Sequence, residues 1–175
     1  VKKILRAGGV IAYPTDTIYG LGCDPKNSSA VRRLLKIKQR PEEMGLILLG
    51  SSLEGIEHWL NIKAKDKEFL LKKRSEPVTF LIPKTNEAPL WITGKHKTLA
   101  LRISQKAPIP SLQAAMGSPI VSTSANIHGG LALNSYEEIN QSLSSEIDFV
   151  VKGSNKAMNR PSKIIDILTK KVIRD

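Results

Sequence analysis

The chain has 175 residues, with 27 Lys and Arg against 16 Asp and Glu, a formal charge of +11. Its 41% apolar and 25% charged residues fall among globular chains and exclude a disordered, collagen-like or coiled-coil one. One cysteine excludes a disulfide framework and a multi-thiolate metal centre within one chain.

The length favours one domain over 1–175, able to bury roughly 70% of its unfolded surface. There is no initiating Met, so a few residues are expected to precede Val1. Lys2, Lys3 and Arg6 interrupt the first apolar stretch, which argues against a secretory signal, and the apolar runs are too short to span a bilayer. A soluble, cytoplasmic protein is expected.

Val10–Tyr13 reads as a buried strand ended by Pro14. Asn27 or Ser28 caps a helix with Val31, Leu34 and Leu35 on one face, which should stop by Arg40 because Pro41 disfavours helical geometry before it. Leu46–Leu49 suits a central strand, and residues 52–60 and 64–74 read as helices. Val78–Ile82 and Thr98–Ile103 are strands, 109–116 is helical, and Ile120–Ser122 begins another strand. Ser135 and Glu138 spell a capping box for a helix near 136–144, and Ile147–Val151 and Ile164–Leu168 are the last clear strands. The alternation argues for a single-domain α/β fold with an open, twisted, mixed sheet flanked by helices.

No P-loop and no G-x-G-x-x-G is present, and His58, His96 and His128 follow no metal-ligand spacing. Cys23 beside a Gly-rich turn reads as a small buried filler, with a nucleophile as the other reading. Basic residues are densest at Lys63, Lys65, Lys67, Lys72, Lys73 and Arg74. They suit a polyanion such as a nucleotide or RNA, or simply a solvated surface.

Four stretches carry candidate chemistry. Tyr13-Pro14-Thr15-Asp16-Thr17-Ile18-Tyr19-Gly20-Leu21-Gly22-Cys23-Asp24-Pro25 takes a buried strand into hydroxyls, a carboxylate and two glycines, where α/β sheets bind ligands, or is an ordinary capped turn. In Lys38-Gln39-Arg40-Pro41, the proline should pull Arg40 out of the helix so that both cations meet one phosphate; the other reading is a cationic helix terminus. Ser122, Ser124 and Asn126 point one way in extended backbone, either as a cradle of neutral donors or as a polar strand end. Arg102, inside an apolar strand, needs a partner if buried: a substrate carboxylate or an internal Asp.

In this order, Y-P-T-D-T-x-Y-G-L-G-C-D from Tyr13, the K-x-R of Lys38 and Arg40, and the S-x-N of Ser124 and Asn126 resemble the YrdC-like family, with Pro77-Val78-Thr79-Phe80 and Pro161-Ser162 in their places. The resemblance runs from about Gly8 to Asp166 and is greatest to the branch of threonylcarbamoyl-AMP synthases. It implies an open α/β sheet with a positively charged concave face. It also implies condensation of L-threonine, bicarbonate or CO2 and ATP into threonylcarbamoyl-adenylate and pyrophosphate, with Mg2+ accompanying ATP and no protein-held metal. The product would pass to a transferase complex that modifies tRNA beside the anticodon. Lys38 and Arg40 take the catalytic role, with Ser122, Ser124 and Asn126 beside them around the nucleotide. Thr15, Thr17, Tyr19, Arg102 and Ser162 take the threonine, and Arg160 reaches toward the nucleotide.

The chain departs from the family pattern in three places: Met44 where a lysine is usual, Arg74-Ser75-Glu76 for an aromatic-Pro-Gly, and Lys163 for a threonine. The alternative function is a non-catalytic protein for RNA, double-stranded RNA included, or for ribosome maturation, using the same basic face. A YciO-like paralogue and a hydrogenase-maturation domain of the same fold are further rivals.

Overall fold

The computed structural model describes residues 1–126, 130–153 and 161–175. Its frame is a nine-stranded mixed sheet in the order β7-β1-β2-β6-β3-β5-β4-β8-β9. The strands are β1 (Ile11–Tyr13), β2 (Gly20–Gly22), β3 (Ile47–Gly50), β4 (Val78–Pro83), β5 (Thr98–Ile103), β6 (Ile120–Ser124), β7 (Phe149–Val150), β8 (Lys163–Asp166) and β9 (Val172–Arg174). Pairs β1/β7, β3/β5 and β4/β8 are parallel and the rest antiparallel.

Alternation along the strands builds two cores, because successive side chains leave opposite faces. Ile11, Tyr13, Leu49 and Ile120 join Leu5 of α1 (Lys2–Arg6) and Ile109 and Leu112 of α5 (Ile109–Met116) on one face. Ala12, Leu21, Leu48 and Val121 point to the other. There they meet Val31 and Leu34 of α2 (Ser28–Ile37), Leu70 of α3 (Ala64–Leu71), Ile92 of α4 (Leu90–Thr93) and Ile139 of α6 (Tyr136–Leu143). Each fully buried Leu or Ile contributes about 1.5–3 kcal/mol.

The local signals mostly hold. Asn27 caps α2, accepting from Ala30 N at 3.1 Å, and Ser135 and Glu138 form the capping box of α6. The helix expected over 52–60 is instead a single 3-10 turn at Glu57–Trp59. Gly55 sits at φ +81°, where a Cβ would lie 2.1 Å from the Gly117 carbonyl oxygen, so the chain turns where a helix would have continued. The helix expected over 64–74 ends at Leu71, because Arg74 folds back and caps it, donating to the carbonyls of Phe69 at 2.5 Å, Leu70 at 3.2 Å and Lys72 at 2.7 Å. Its guanidinium also lies 4.7 Å from the ring centres of both Phe69 and Phe80. Strands β2 and β9 and the short helices α1 and α4 are additions that the sequence pattern does not announce.

Candidate active site

The K-x-R stretch is a capped helix end. Gln39 adopts a left-handed φ of +47°; its N–H donates to Lys36 O and that of Arg40 to Leu35 O, both at 3.0 Å. This paired closure ends α2. It corrects the expectation that Pro41 turns Arg40 out: the left-handed residue before Arg40 already does so.

The two cations then separate. Arg40 Nη2 donates to Gly45 O at 2.9 Å, its Nε meets no acceptor among the described residues, and the side chain lines a cavity of about 210 Å³. Desolvation holds its guanidinium below the usual range. Lys38 is 5% exposed and does not line that cavity. Its ammonium donates to Ser124 O at 2.7 Å, Asn126 O at 2.6 Å and the Asn126 side-chain oxygen, with Ser124 Oγ at 3.4 Å. Burial, then the charge of Arg40, lowers its pKa to about 8, against the pull of those oxygens toward the charged form.

Ser122, Thr123 and Ser124 line the cavity, but Asn126 does not. Strand β6 stops at Ser124, and the Asn126 N–H turns back to Ser124 O at 3.0 Å, which breaks the alternation that would have aligned 122, 124 and 126. Asn126 instead receives Lys38 and Ser124 Oγ, the latter at 2.7 Å, and donates to Gly130 O.

The β1–β2 connection forms the floor. Thr15 Oγ1 donates to Ile18 O at 2.7 Å, lies 3.1 Å from Thr17 Oγ1 and accepts from Thr17 N at 3.1 Å. Arg102 Nη1 donates to Thr17 Oγ1 at 3.2 Å. The protons therefore run one way, from Arg102 through Thr17 and Thr15 to the Ile18 carbonyl. Arg102 Nη2 lies 3.5 Å from Asp16 Oδ1, so the internal Asp is present, while its Nε meets no acceptor among the described residues. Arg102 is 5% exposed and on the cavity wall, where its charge favours an anion. Tyr19 also lines the wall, but its hydroxyl donates to the carbonyls of Gly153 at 2.9 Å and Val151 at 3.1 Å. Ser162 Oγ sits 2.7 Å from Thr79 Oγ1.

A third guanidinium went unread in the sequence. Arg174 of β9 lines the same cavity and donates to Ser162 O at 2.8 Å. Desolvation and the charge of Arg102 hold it below the usual range. One Arg in a Lys-rich tail carries no local signal; only the β8–β9 hairpin brings it in. Arg40, Leu46, Ile47 and Arg174 also border a second cavity of about 210 Å³, lined further by Leu81, Ile92, Ala100 and Ile164, with His96 and Thr98. Together the two exceed about 300 Å³, the lower end for small-molecule sites.

The departing residues have local roles. Met44 is 48% exposed and borders the second cavity, and Lys163 pairs with Asp175 at 2.9 Å. Arg160 and His128 lie outside the described residues. Cys23 is fully buried, as a filler would be, and desolvation raises its thiol pKa.

A family model described as "Telomere recombination", grouping Sua5, YciO and YrdC proteins, matches residues 3–175, and the chain belongs to this family. A threonylcarbamoyl-AMP synthase of Xanthomonas euvesicatoria pv. vesicatoria (strain 85-10) is 42% identical over 174 residues, covering 98% of this chain and 93% of its own. The crystal structure of P. abyssi Sua5 complexed with L-threonine superposes with a TM-score of 0.85 at 30% identity, over 94% of this chain and 49% of that one. E. coli YciO superposes with a TM-score of 0.80 at 27% identity, over 99% and 88%. The chain spans about half the length of the Sua5 structures it matches.

Proposed function

We propose that this chain is a threonylcarbamoyl-AMP synthase, a nucleotidyltransferase formed by one YrdC-like domain over 1–175 and acting in the cytoplasm. Among the described residues, no helix is long and apolar enough to cross a membrane. The observation that carries the reading is the buried Arg102 on a cavity wall that also holds Arg40 and Arg174. Three guanidiniums beside hydroxyls suit a carboxylate and phosphates together. The 42% identical synthase supports that substrate set.

In this reading Arg102 takes the threonine carboxylate, with Thr15, Thr17, Tyr19 and Ser162 shaping the floor. The threonine nitrogen bonds to the carbon of CO2 and loses a proton, giving a carbamate. A carbamate oxygen then bonds to the α-phosphorus of ATP as the bond to pyrophosphate breaks. That oxygen is already anionic, so the step needs positioning and charge neutralisation more than a base. Arg40, Arg174, Ser122 and Ser124 supply both, and the second cavity takes the base. Lys38 serves by holding Ser124 and Asn126 in place.

Mg2+ enters with the triphosphate as part of the substrate, since it binds chiefly through phosphates and water with one or two carboxylates. Asp16 beside Arg102 is a carboxylate near the wall; among the described residues no three His, Cys, Asp or Glu come together. The adenylate then passes to the complex that modifies tRNA.

The test is pyrophosphate release from Mg–ATP with and without L-threonine and bicarbonate, for the wild type, Arg40→Ala and Lys38→Ala. Release should require both co-substrates and fall by about 10²–10³-fold in Arg40→Ala, as when one charge-stabilising donor is removed. Absence of threonine-dependent release from folded protein overturns the reading. Steeply salt-dependent RNA binding would then take its place.

A further inference from the structure

Arg174 stands on β9, the last strand in the sheet order, and its neighbours Val172 and Ile173 are 52% and 60% exposed. Two residue pairs, Ile164 with Arg174 and Ile165 with Val172, register β9 on β8, and the register shifts between them. Within the hairpin Asp166 N also donates to Lys171 O at 3.0 Å, Arg174 bonds Ser162 O and Lys163 pairs with Asp175, but none of these contacts ties β9 to the helix layer.

The hairpin is anchored at its other end. The Asp166 carboxylate accepts from Leu168 N at 2.9 Å and from Thr169 N at 2.8 Å, which shapes the turn. Lys170 then adopts a φ of +60°, a left-handed backbone that a non-glycine residue takes only when its surroundings hold it there. Its ammonium reaches across to α3. It donates to Asp66 Oδ1 at 2.8 Å and to Ile167 O at 2.5 Å, and lies 4.1 Å from the centre of the Phe69 ring. Asp66 is 5% exposed, and Lys170 is the cation that hydrogen-bonds its carboxylate, with the charges of Lys65 and Lys63 acting on it as well. Three residues separate this anchor from Arg174, a span of at most roughly 13 Å.

We propose that Lys170 and Asp66 are positioning residues for Arg174: they pin the β8–β9 hairpin to α3 and so set where the Arg174 guanidinium stands over the nucleotide. The inference rests on the synthase reading for what Arg174 contacts. It makes a residue pair outside the cavity a determinant of nucleotide affinity and leaves the threonine end untouched.

The experiment measures ATP binding by calorimetry, and KM for ATP and for threonine separately, in K170M, D66N and K170R, and in K170M combined with R174A. K170M and D66N should each weaken ATP binding about tenfold, within the coupling that double-mutant cycles give for residues of one network. KM for threonine should stay as in the wild type, and K170R should restore ATP affinity. In the R174A background K170M should have no further effect. The inference is overturned if K170M lowers the melting temperature while ATP binding stays wild-type, or if its effect is the same with and without R174A. Should K170M not fold, D66N carries the same expectations, and wild-type ATP affinity in it is equally fatal. Binding needs no turnover, so a wild-type protein that binds ATP but releases no pyrophosphate defeats the synthase reading and leaves this test standing. One that does not bind ATP defeats both.

Discussion

The two sides of the cavity are built differently. On the inner side Arg102, Thr17, Thr15 and Ser122 are all buried and sit on or between central strands, and the first three are tied by the one-way chain of hydrogen bonds that ends at Ile18 O. On the outer side Arg174 stands on an edge strand with exposed neighbours, held by Ser162 O and by a distant anchor. A small amino acid is best told from its near relatives by fixed groups, because a site built to hydrogen-bond a hydroxyl rejects ligands that lack it. A polyphosphate needs charge more than exact placement, and a hairpin can supply charge.

Three measurements would break or sharpen that contrast. The largest effect is expected at the inner side. Arg102→Ala should lower kcat/KM for threonine about 10²–10³-fold, ~2–4 kcal/mol of barrier. Arg102→Lys, which keeps charge but loses the fork, should recover only part of it. Threonine kinetics unchanged in Arg102→Ala would remove the inner site.

Next comes stability, compared through one residue type. Val121 in β6 is fully buried and Val172 in β9 is 52% exposed. Val121→Ala should cost about 1.5–3 kcal/mol in a denaturant titration, whereas Val172→Ala should stay within about 0.5 kcal/mol. Equal costs would mean that β9 is packed as firmly as the centre.

The smallest effect is a pH dependence. Lys38 has a folded pKa of about 8, below its ordinary 10.5. Between those values the unfolded chain holds the proton that the folded chain has released, so this group's contribution to stability rises with pH. Activity should move the opposite way across the same window, because a neutral amine holds Ser124 O and Asn126 O less firmly. The measurement is turnover from pH 7 to 10 in the wild type and Lys38→Met, with stability followed in parallel. A variant whose activity keeps the wild-type alkaline limb would detach that limb from Lys38.

The central strands and the capped helices were legible because each carries its own local signal, such as Asn27 before an apolar stripe or the Ser135/Glu138 box. Strand β2 was not. Gly-Leu-Gly has poor strand propensity; it is a strand because β1 and β6 pair with it on either side, and so closely that a side chain at Gly22 would lie 2.5 Å from the Val121 carbonyl and 2.7 Å from the Tyr13 ring. That requirement comes from neighbours far away in the chain. The site divides in the same manner. Arg102 and the Thr15/Thr17 hydroxyls were legible as polar groups out of place beside buried strands. Arg174 was not, because only the hairpin gives it meaning. Lys38 was legible as a cation, but its inward direction depends on the left-handed turn at Gln39 and on carbonyls some 86 residues later.

The full burial of Cys23, described above as filler, has an experimental use. It is the one thiol of the chain, and its backbone carbonyl accepts from Val121 N at 3.1 Å, next to the inner wall. A thiol with no solvent access and a raised pKa reacts with an alkylating reagent only when the structure around it opens. The rate of labelling therefore reports how often the centre of the sheet comes apart. If threonine or ATP slows it, the same sulfur reads ligand occupancy as a change in opening frequency, with no probe added to the protein.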